Sequence, residues 1–282
     1  MGLFNLKEIL TDAKSGKYAV GMFDVVNSES LKAIINGAEE CNSPVIIALA
    51  EVHLQYAPIE LFAPLMVDAA KRSSVPVAVH LDHGLSFDTI IKVMNFGFTS
   101  VMFDGSTLDY EDNVSRTKEI VKIAKVLGIS VEAELGHVGG SEAGSEDNFE
   151  EFFTDPQLAY DFVEKTDIDA LAVAIGTVHG EYVNKPCLDL NRLSEIQKKV
   201  NVPLVLHGGS GLSDQDFQDC IARGIRKINI FTDMSRAAVE GVKSFLDQNN
   251  KAHCFDISEV SEKKMKEVVV QKINLFGSNS KA

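Results

Sequence analysis

The stretch VPVAVHLDHG (75–84), whose first eight residues (75–82) are the strand candidate, begins as an apolar, β-branched run and ends with two histidines and an aspartate inside its last six residues. A run of that kind reads as a strand buried on both faces, as strands of parallel sheets are. Its polar end then marks the point where the strand reaches a chemical site. Period-two alternation puts His80 and Asp82 on one face and leaves Val79 and Leu81 for packing on the other.

The same grammar recurs along the chain. Seven further runs share it: YAVGMFD (18–24), PVIIALA (44–50), TSVMFDG (99–105), ISVEAELG (129–136), ALAVAIG (170–176), PLVLHGG (203–209) and KINIFTD (227–233). Segments with helical spacing lie between them, among them SLKAIINGAEECN (30–42), NVSRTKEIVKIAKVLG (113–128) and SRAAVEGVKSFLDQN (235–249). The second ends in Gly128, a residue type that helix C-termini favour. Eight strands alternating with helices imply parallel pairing, and this length suits a closed α/β (β/α)8 TIM barrel better than an open sheet. The reading is one domain over residues 1–282, with an extra C-terminal helix at SEKKMKEVVVQKINLF (261–276) packed outside the barrel or on a partner subunit. No strand–helix junction carries G-x-G-x-x-G, so a dinucleotide fold has no support.

Composition narrows the function. A formal charge of −14 without a Lys/Arg-rich run offers nothing to phosphate backbones or anionic membranes, so neither nucleic acid nor membrane is expected as a partner. No apolar run approaches the roughly 18 residues of a membrane span. The start MGLFNLKEIL has no secretory pattern and Leu6 stands where a myristoylation signal wants Ser or Thr, so a cytoplasmic protein is expected. Cys41, Cys187, Cys220 and Cys254 are scattered and form no C-x-x-C pair, which suits idle thiols in a reducing compartment.

A barrel of this class carries its chemistry at the C-terminal ends of its strands. Asp82, His83, Asp104, Glu134, His179, His207 and Asn229 all fall at or beside those ends. His83, His179 and His207 come from three different strand ends and suit one divalent ion with an open position, as in catalytic zinc sites. His80 is expected to support a ligand or to pack, His137 to lie in a loop, and His53 and His253 to be surface residues. HGGSG (207–211) combines a histidine with glycines whose backbone N–H groups can approach an anion, and Ser210 adds a hydroxyl. Turns after strands seven and eight commonly hold phosphate in barrels, which points to a phosphorylated small molecule as partner. The Gly- and acid-rich loop VGGSEAGSEDNFEEFF (138–153) reads as solvated, or as a lid bringing in one carboxylate, with Glu142 the first candidate. Lysine Schiff-base chemistry needs a lysine at the catalytic rim, and Lys227, opening strand eight, is expected at the opposite end. A zinc hydrolase and a noncatalytic accessory chain remain alternatives; the latter should have lost the histidines or Asp82, which are present here.

VHLDHG, SVMFDGS, SVEAELGHVGG, LAVAIGTVHG, VPLVLHGGSG, KINIFTD and the FGSNSKA terminus occur in one order over nearly the whole chain. The sequence thereby resembles the class II, metal-dependent ketose-phosphate aldolases, of the short type that includes fructose- and tagatose-bisphosphate enzymes. The resemblance implies Zn2+ on His83, His179 and His207, with Glu134 as a nearby or alternate ligand. It also implies reversible cleavage of a ketose 1-phosphate or 1,6-bisphosphate into dihydroxyacetone phosphate and an aldehyde, through a zinc-stabilised enediolate. In that scheme Asp82 removes the C4 hydroxyl proton, Glu142 handles proton transfer at C3, and Asn229 hydrogen-bonds the enediolate. Gly180, Gly208, Gly209, Ser210, Ile230, Phe231 and Thr232 would line the C1-phosphate end. A monovalent cation, Na+ or K+, would sit by Val178, Gly180 and Gly208, and the assembly would be a homodimer or homotetramer.

Three positions depart from the family pattern. Ala50 stands where a phosphate-contacting Ser or Thr is frequent, Phe231 where a small or acidic residue is frequent, and Ser258 where an Asp-Pro-Arg segment usually offers its arginine. Losing such a clamp removes charge-assisted contacts worth about 1.5–3 kcal/mol each. The distal end of the substrate is therefore expected to be a sugar acid, a deoxy group or an unphosphorylated sugar.

Overall fold

Short β-branched runs pair where helices can cover both ends of every crossover, and all eight of the expected runs are strands. The computed structural model describes residues 2–140, 153–180 and 186–282. The barrel strands are β1 Val20–Asp24, β2 Val45–Ala50, β3 Val77–Gly84, β4 Ser100–Phe103, β5 Ser130–Leu135, β6 Ala170–Val173, β7 Leu204–Leu206 and β8 Ile225–Ile230. Each pairs in parallel with its sequence neighbours, and β8 pairs with β1 to close an eight-stranded barrel. Most strands are shorter than their apolar runs, because the polar residues at their ends leave the ladder for the loops. Only β3 runs further, to Gly84.

Ten helices occur among the described residues: α1 Leu6–Gly16, α2 Ser28–Glu40, α3 Ile59–Arg72, α4 Phe87–Asn95, α5 Tyr110–Leu127, α6 Pro156–Thr166, α7 Leu190–Lys199, α8 Asp214–Ala222, α9 Thr232–Gln248 and α10 Cys254–Phe276. Gly128 ends α5 in the left-handed region at φ 71°, its N–H bonded to the carbonyls of Ala124 and Lys125. None of these helices is long and apolar enough to cross a membrane.

The core has two parts. The larger lies between the barrel wall and the helices. The smaller fills the lower barrel interior, where Val20, Met22, Ile46, Ala48, Ala78, Ala170, Ala172 and Val205 meet Leu6, Ile9, Leu10 and Ala13 of α1. That helix had no counterpart in the strand–helix reading. It starts at Asn5, whose side chain accepts from Glu8 N–H while the Glu8 carboxylate accepts from Asn5 N–H, a reciprocal cap. Its apolar stripe then seals the bottom of the barrel, and each fully buried leucine contributes roughly 1.5–3 kcal/mol. The last helix packs outside the barrel against α2 and α9, burying Met265, Val269, Ile273 and Phe276. Gly37 permits that approach, since a Cβ there would lie 2.8 Å from a Val269 methyl.

Candidate metal and catalytic site

Strict alternation cannot send both Asp82 and His83 to the same side of β3. The ladder solves this with a bulge: Leu81 pairs with Val101 and Gly84 with Phe103, so three steps on β3 match two on β4. His83 absorbs the extra residue in the left-handed region at φ 45°, a conformation few side-chain-bearing residues adopt. Gly84 completes the bulge, because a Cβ there would stand 2.5 Å from the Met102 carbonyl oxygen. Both side chains therefore reach the mouth, with Asp82 Oδ2 3.9 Å from His83 Nε2.

Three histidines meet at that point. His83 Nε2 lies 3.2 Å from His179 Nε2 and 2.9 Å from His207 Nδ1. The outer nitrogens are already committed: His83 Nδ1 donates to Asp104 Oδ2 at 2.7 Å and His207 Nε2 to Glu132 Oε1 at 2.9 Å. Those bonds fix the tautomers and leave lone pairs on the nitrogens that face one another. With a metal in place of a proton on His83 Nε2, the three facing nitrogens could surround one cation. A tetrahedral zinc with Zn–N near 2.0–2.1 Å would set its nitrogens about 3.4 Å apart, close to what these rings show. His83, Asp104 and Glu134 form a second group whose ligand atoms lie within 4.8 Å of one another.

The electrostatics agree with one positive charge at the centre. Burial opposes a charge on His83, but the Asp82 carboxylate, the Asp104 hydrogen bond and the Glu134 and Asp104 charges outweigh it and raise its pKa to about 10. Burial and the neighbouring His83 charge push His179 down to about 4 and His207 well below its usual range. Charge is thus favoured on one of the three rings and opposed on the other two. Burial and then the Asp104 charge raise Glu134 to about 8.

Asn229 Nδ2 donates to Asp82 Oδ1 at 3.0 Å and so orients that carboxylate. Three buried oxygens here, Asp24 Oδ1, Glu134 Oε2 and Asn229 Oδ1, have no hydrogen-bond partner among the described residues. Groups of that sort are costly unless a ligand satisfies them. Asp24 escaped the sequence reading although it ends β1 as Asp82 approaches the end of β3. Burial and the Asp82 charge raise its pKa well above the carboxylate range.

The expected anion end lies beside these groups. Gly208, at φ 64°, packs so tightly on Val178 that a Cβ would meet its carbonyl oxygen at 2.4 Å, and a Cβ on Gly209 would lie 2.9 Å from the Asn229 carbonyl oxygen. Gly180 follows His179 at φ 86°. The helix α9 starts at Thr232 after Phe231, which offers no side-chain cap. Its Asp233 N–H donates to Ser210 Oγ at 3.3 Å. The glycines, Ser210 and a helix N-terminus that its own N-cap residue leaves uncapped thus share one corner, a natural anion site. Ile230 is buried in the wall below.

Several expectations are corrected. Lys227 does not lie at the far end: its wholly buried ammonium donates to Glu132 Oε1 at 3.0 Å, directly beneath His207. The third residue of β8 begins low in the barrel, but four methylenes carry its charge upward. His53 is half-buried rather than exposed, its ring tilted against Phe231 with centroids 4.6 Å apart. His80 is fully buried and bonded through Nδ1 to Ser100 Oγ, a supporting place as expected, and His253 does start α10 near the surface. His137 Nδ1 pairs with Ser106 Oγ at 3.0 Å. Glu142 lies outside the described residues.

With this geometry in hand, the match to known proteins is decisive. The fructose-bisphosphate aldolase class-II family matches residues 4–281. The chain belongs to the class II fructose-bisphosphate aldolase family. It is 42% identical over 271 residues, 96% of each chain, to the "Uncharacterized protein YdjI" of Escherichia coli (strain K12). The crystal structure of the YdjI aldolase from Escherichia coli K12 superposes with a TM-score of 0.88 at 38% identity, covering 99% of both chains. Fructose-bisphosphate aldolase from Campylobacter jejuni, 23% identical and covered over 97% of its length with all of this chain, shares the fold at a TM-score of 0.84.

Proposed function

We propose that the protein is a metal-dependent aldolase that reversibly cleaves a ketose phosphate, bound through its C1 phosphate, into dihydroxyacetone phosphate and an aldehyde. The observation that carries this reading is the facing set His83, His179 and His207 with the Asp82 carboxylate 3.9 Å from His83 Nε2. A zinc ion held by those three rings, with Glu134 beside it, would act as a Lewis acid on the ketose carbonyl.

The chain's own groups divide the remaining work. Asp82, held by the Asn229 amide, accepts the C4 hydroxyl proton; the C3–C4 pair then stays with the three-carbon phosphate and the aldehyde leaves. Asn229 Oδ1, Asp24 and Glu134 supply polar contacts for substrate hydroxyls. Gly208, Gly209, Ser210 and Thr232 at the start of α9 receive the C1 phosphate. We assign proton transfer at C3 to Glu142 on the family resemblance. On the same resemblance we assign a monovalent cation to the neighbourhood of Val178, Gly180 and Gly208, where the Gly208 and Val178 backbones come close together.

The distal end lacks a phosphate clamp in this reading. Ala50 is buried, the Phe231 ring is taken up by His53, and Phe231 and Ser258 line a cavity of about 400 Å³ whose charged residues, Glu29 and Lys243, oppose each other in sign. Such a surface suits an uncharged or weakly polar end better than a phosphate dianion. Kinetics with matched ketose 1-phosphates and 1,6-bisphosphates test this point, and a strong preference for the bisphosphates contradicts it. The aldolase reading itself is tested by chelation: activity should vanish and return with zinc, while borohydride with substrate should leave the enzyme active.

A further inference from the structure

Two polar layers are stacked inside the upper barrel, and the proposed chemistry uses only one of them. Alternation along β3, β5 and β8 puts Asp82, Glu134 and Asn229 at the mouth and, two residues earlier on each strand, His80, Glu132 and Lys227 beneath. All three lower side chains are fully buried. The Lys227 ammonium donates to Glu132 Oε1 at 3.0 Å and stands 2.9 Å from Oε2, where the angle makes the contact an ion pair rather than a second hydrogen bond. His80 Nε2 stands 3.8 Å from the same Oε2, and His80 is itself fixed by Ser100.

A buried ion pair is a costly way to fill a barrel, and apolar side chains of the same volume would commonly serve stability at least as well. The neighbouring apolar layer, built from Val20, Ala48, Ala172 and Val205, shows that this interior can be filled without charge. What distinguishes the charged layer is its upper contact: Glu132 Oε1 accepts from His207 Nε2 at 2.9 Å. That bond turns His207 Nδ1 toward His83 and the centre of the site. Lys227 in turn holds both oxygens of Glu132, so the acceptor that orients the ring is itself fixed from below.

We infer that Lys227 is a positioning residue for the metal site, acting through Glu132 to hold His207 with Nδ1 toward the ion. The inference rests on the three-histidine metal site and is independent of which sugar is cleaved. It differs from a purely structural ion pair in what happens when both charges are removed together. The full-length protein is loaded with zinc, and its affinity is read by competition with a chromogenic chelator, with cobalt absorption as a second reading of the ligand field. Lys227→Met should weaken zinc binding by about 10–100-fold, the usual range for groups that orient a metal ligand. The paired variant Glu132→Gln/Lys227→Met leaves no unmatched charge, so its metal-free melting temperature should stay near that of the wild type. Its zinc affinity should nevertheless remain about tenfold weaker, with a shifted cobalt band. Wild-type zinc affinity and an unchanged cobalt band in a folded double variant overturn the inference. A wild-type protein that takes up no zinc overturns both this inference and the metal site beneath it.

Discussion

The two ends of one barrel interior are built by opposite rules. At the bottom, α1 presses Leu6, Ile9, Leu10 and Ala13 onto alanines and β-branched residues. At the top the same strands end in Asp24, Asp82, His83, Glu134, His207 and Asn229, with unpartnered buried oxygens and a histidine in the left-handed region. The lower end holds the fold and the upper end holds strain and charge for chemistry. Barrel enzymes can separate these tasks because the strands are rigid enough to carry both.

That separation is open to measurement, beginning with its largest effect. Removing the metal, by chelation or by His83→Ala, should reduce carbon–carbon cleavage to background while the circular dichroism of the barrel is retained; loss of secondary structure would mean that the upper end also holds the fold. Asp82→Ala should keep stoichiometric zinc and lose about 10²–10⁴-fold in kcat, the range for a positioned general base. Metal analysis beside steady-state kinetics reads both halves of that expectation. At the other end, Leu10→Ala should cost about 2–5 kcal/mol of stability in denaturant unfolding, with zinc affinity unchanged, because it opens a cavity in the plug.

The smallest effect has the opposite sign. Asp24 is a buried carboxyl whose folded pKa is raised, by burial and by Asp82. Below the unfolded pKa both states hold the proton and nothing is lost; above it the unfolded chain ionises freely and the folded state is penalised. Asp24→Asn should therefore raise the melting temperature by about 2–4 °C at pH 7–8, with a gain that fades as pH falls toward 4. A variant that lowers stability at neutral pH would show that Asp24 is held by something other than its charged neighbours.

Much of this was legible in the residues, for identifiable reasons. Runs such as VPVAVHLD and PVIIALA announce buried parallel strands, and eight of them between helical segments leave little besides a closed barrel. Once the barrel is known, strand ends give the rim, so His83, His179 and His207 could be grouped though they are far apart in the chain. Three things were hidden. The bulge at His83 needs the ladder, because sequence alternation alone sends Asp82 and His83 apart. The role of Lys227 depends on side-chain length: its backbone lies low, its ammonium high. A signal for it did exist, since Glu132 and Glu134, and Lys227 and Asn229, repeat polar residues at period two inside otherwise apolar strands. The plug helix was missed because its apolar stripe is brief, although Asn5 and Glu8 spelled out its reciprocal cap.

The central claim is that the upper end makes and breaks a carbon–carbon bond next to a ketose phosphate. Its most direct test is to incubate the zinc-loaded protein with dihydroxyacetone phosphate and a panel of aldehydes, identifying products by mass and stereochemistry. The expected result is a ketose 1-phosphate, formed best with aldehydes that carry no phosphate, lost on chelation and absent from zinc-loaded Asp82→Ala. Zinc-loaded wild-type protein that condenses none of the aldehydes, or metal-free protein that condenses them at full rate, would contradict the account.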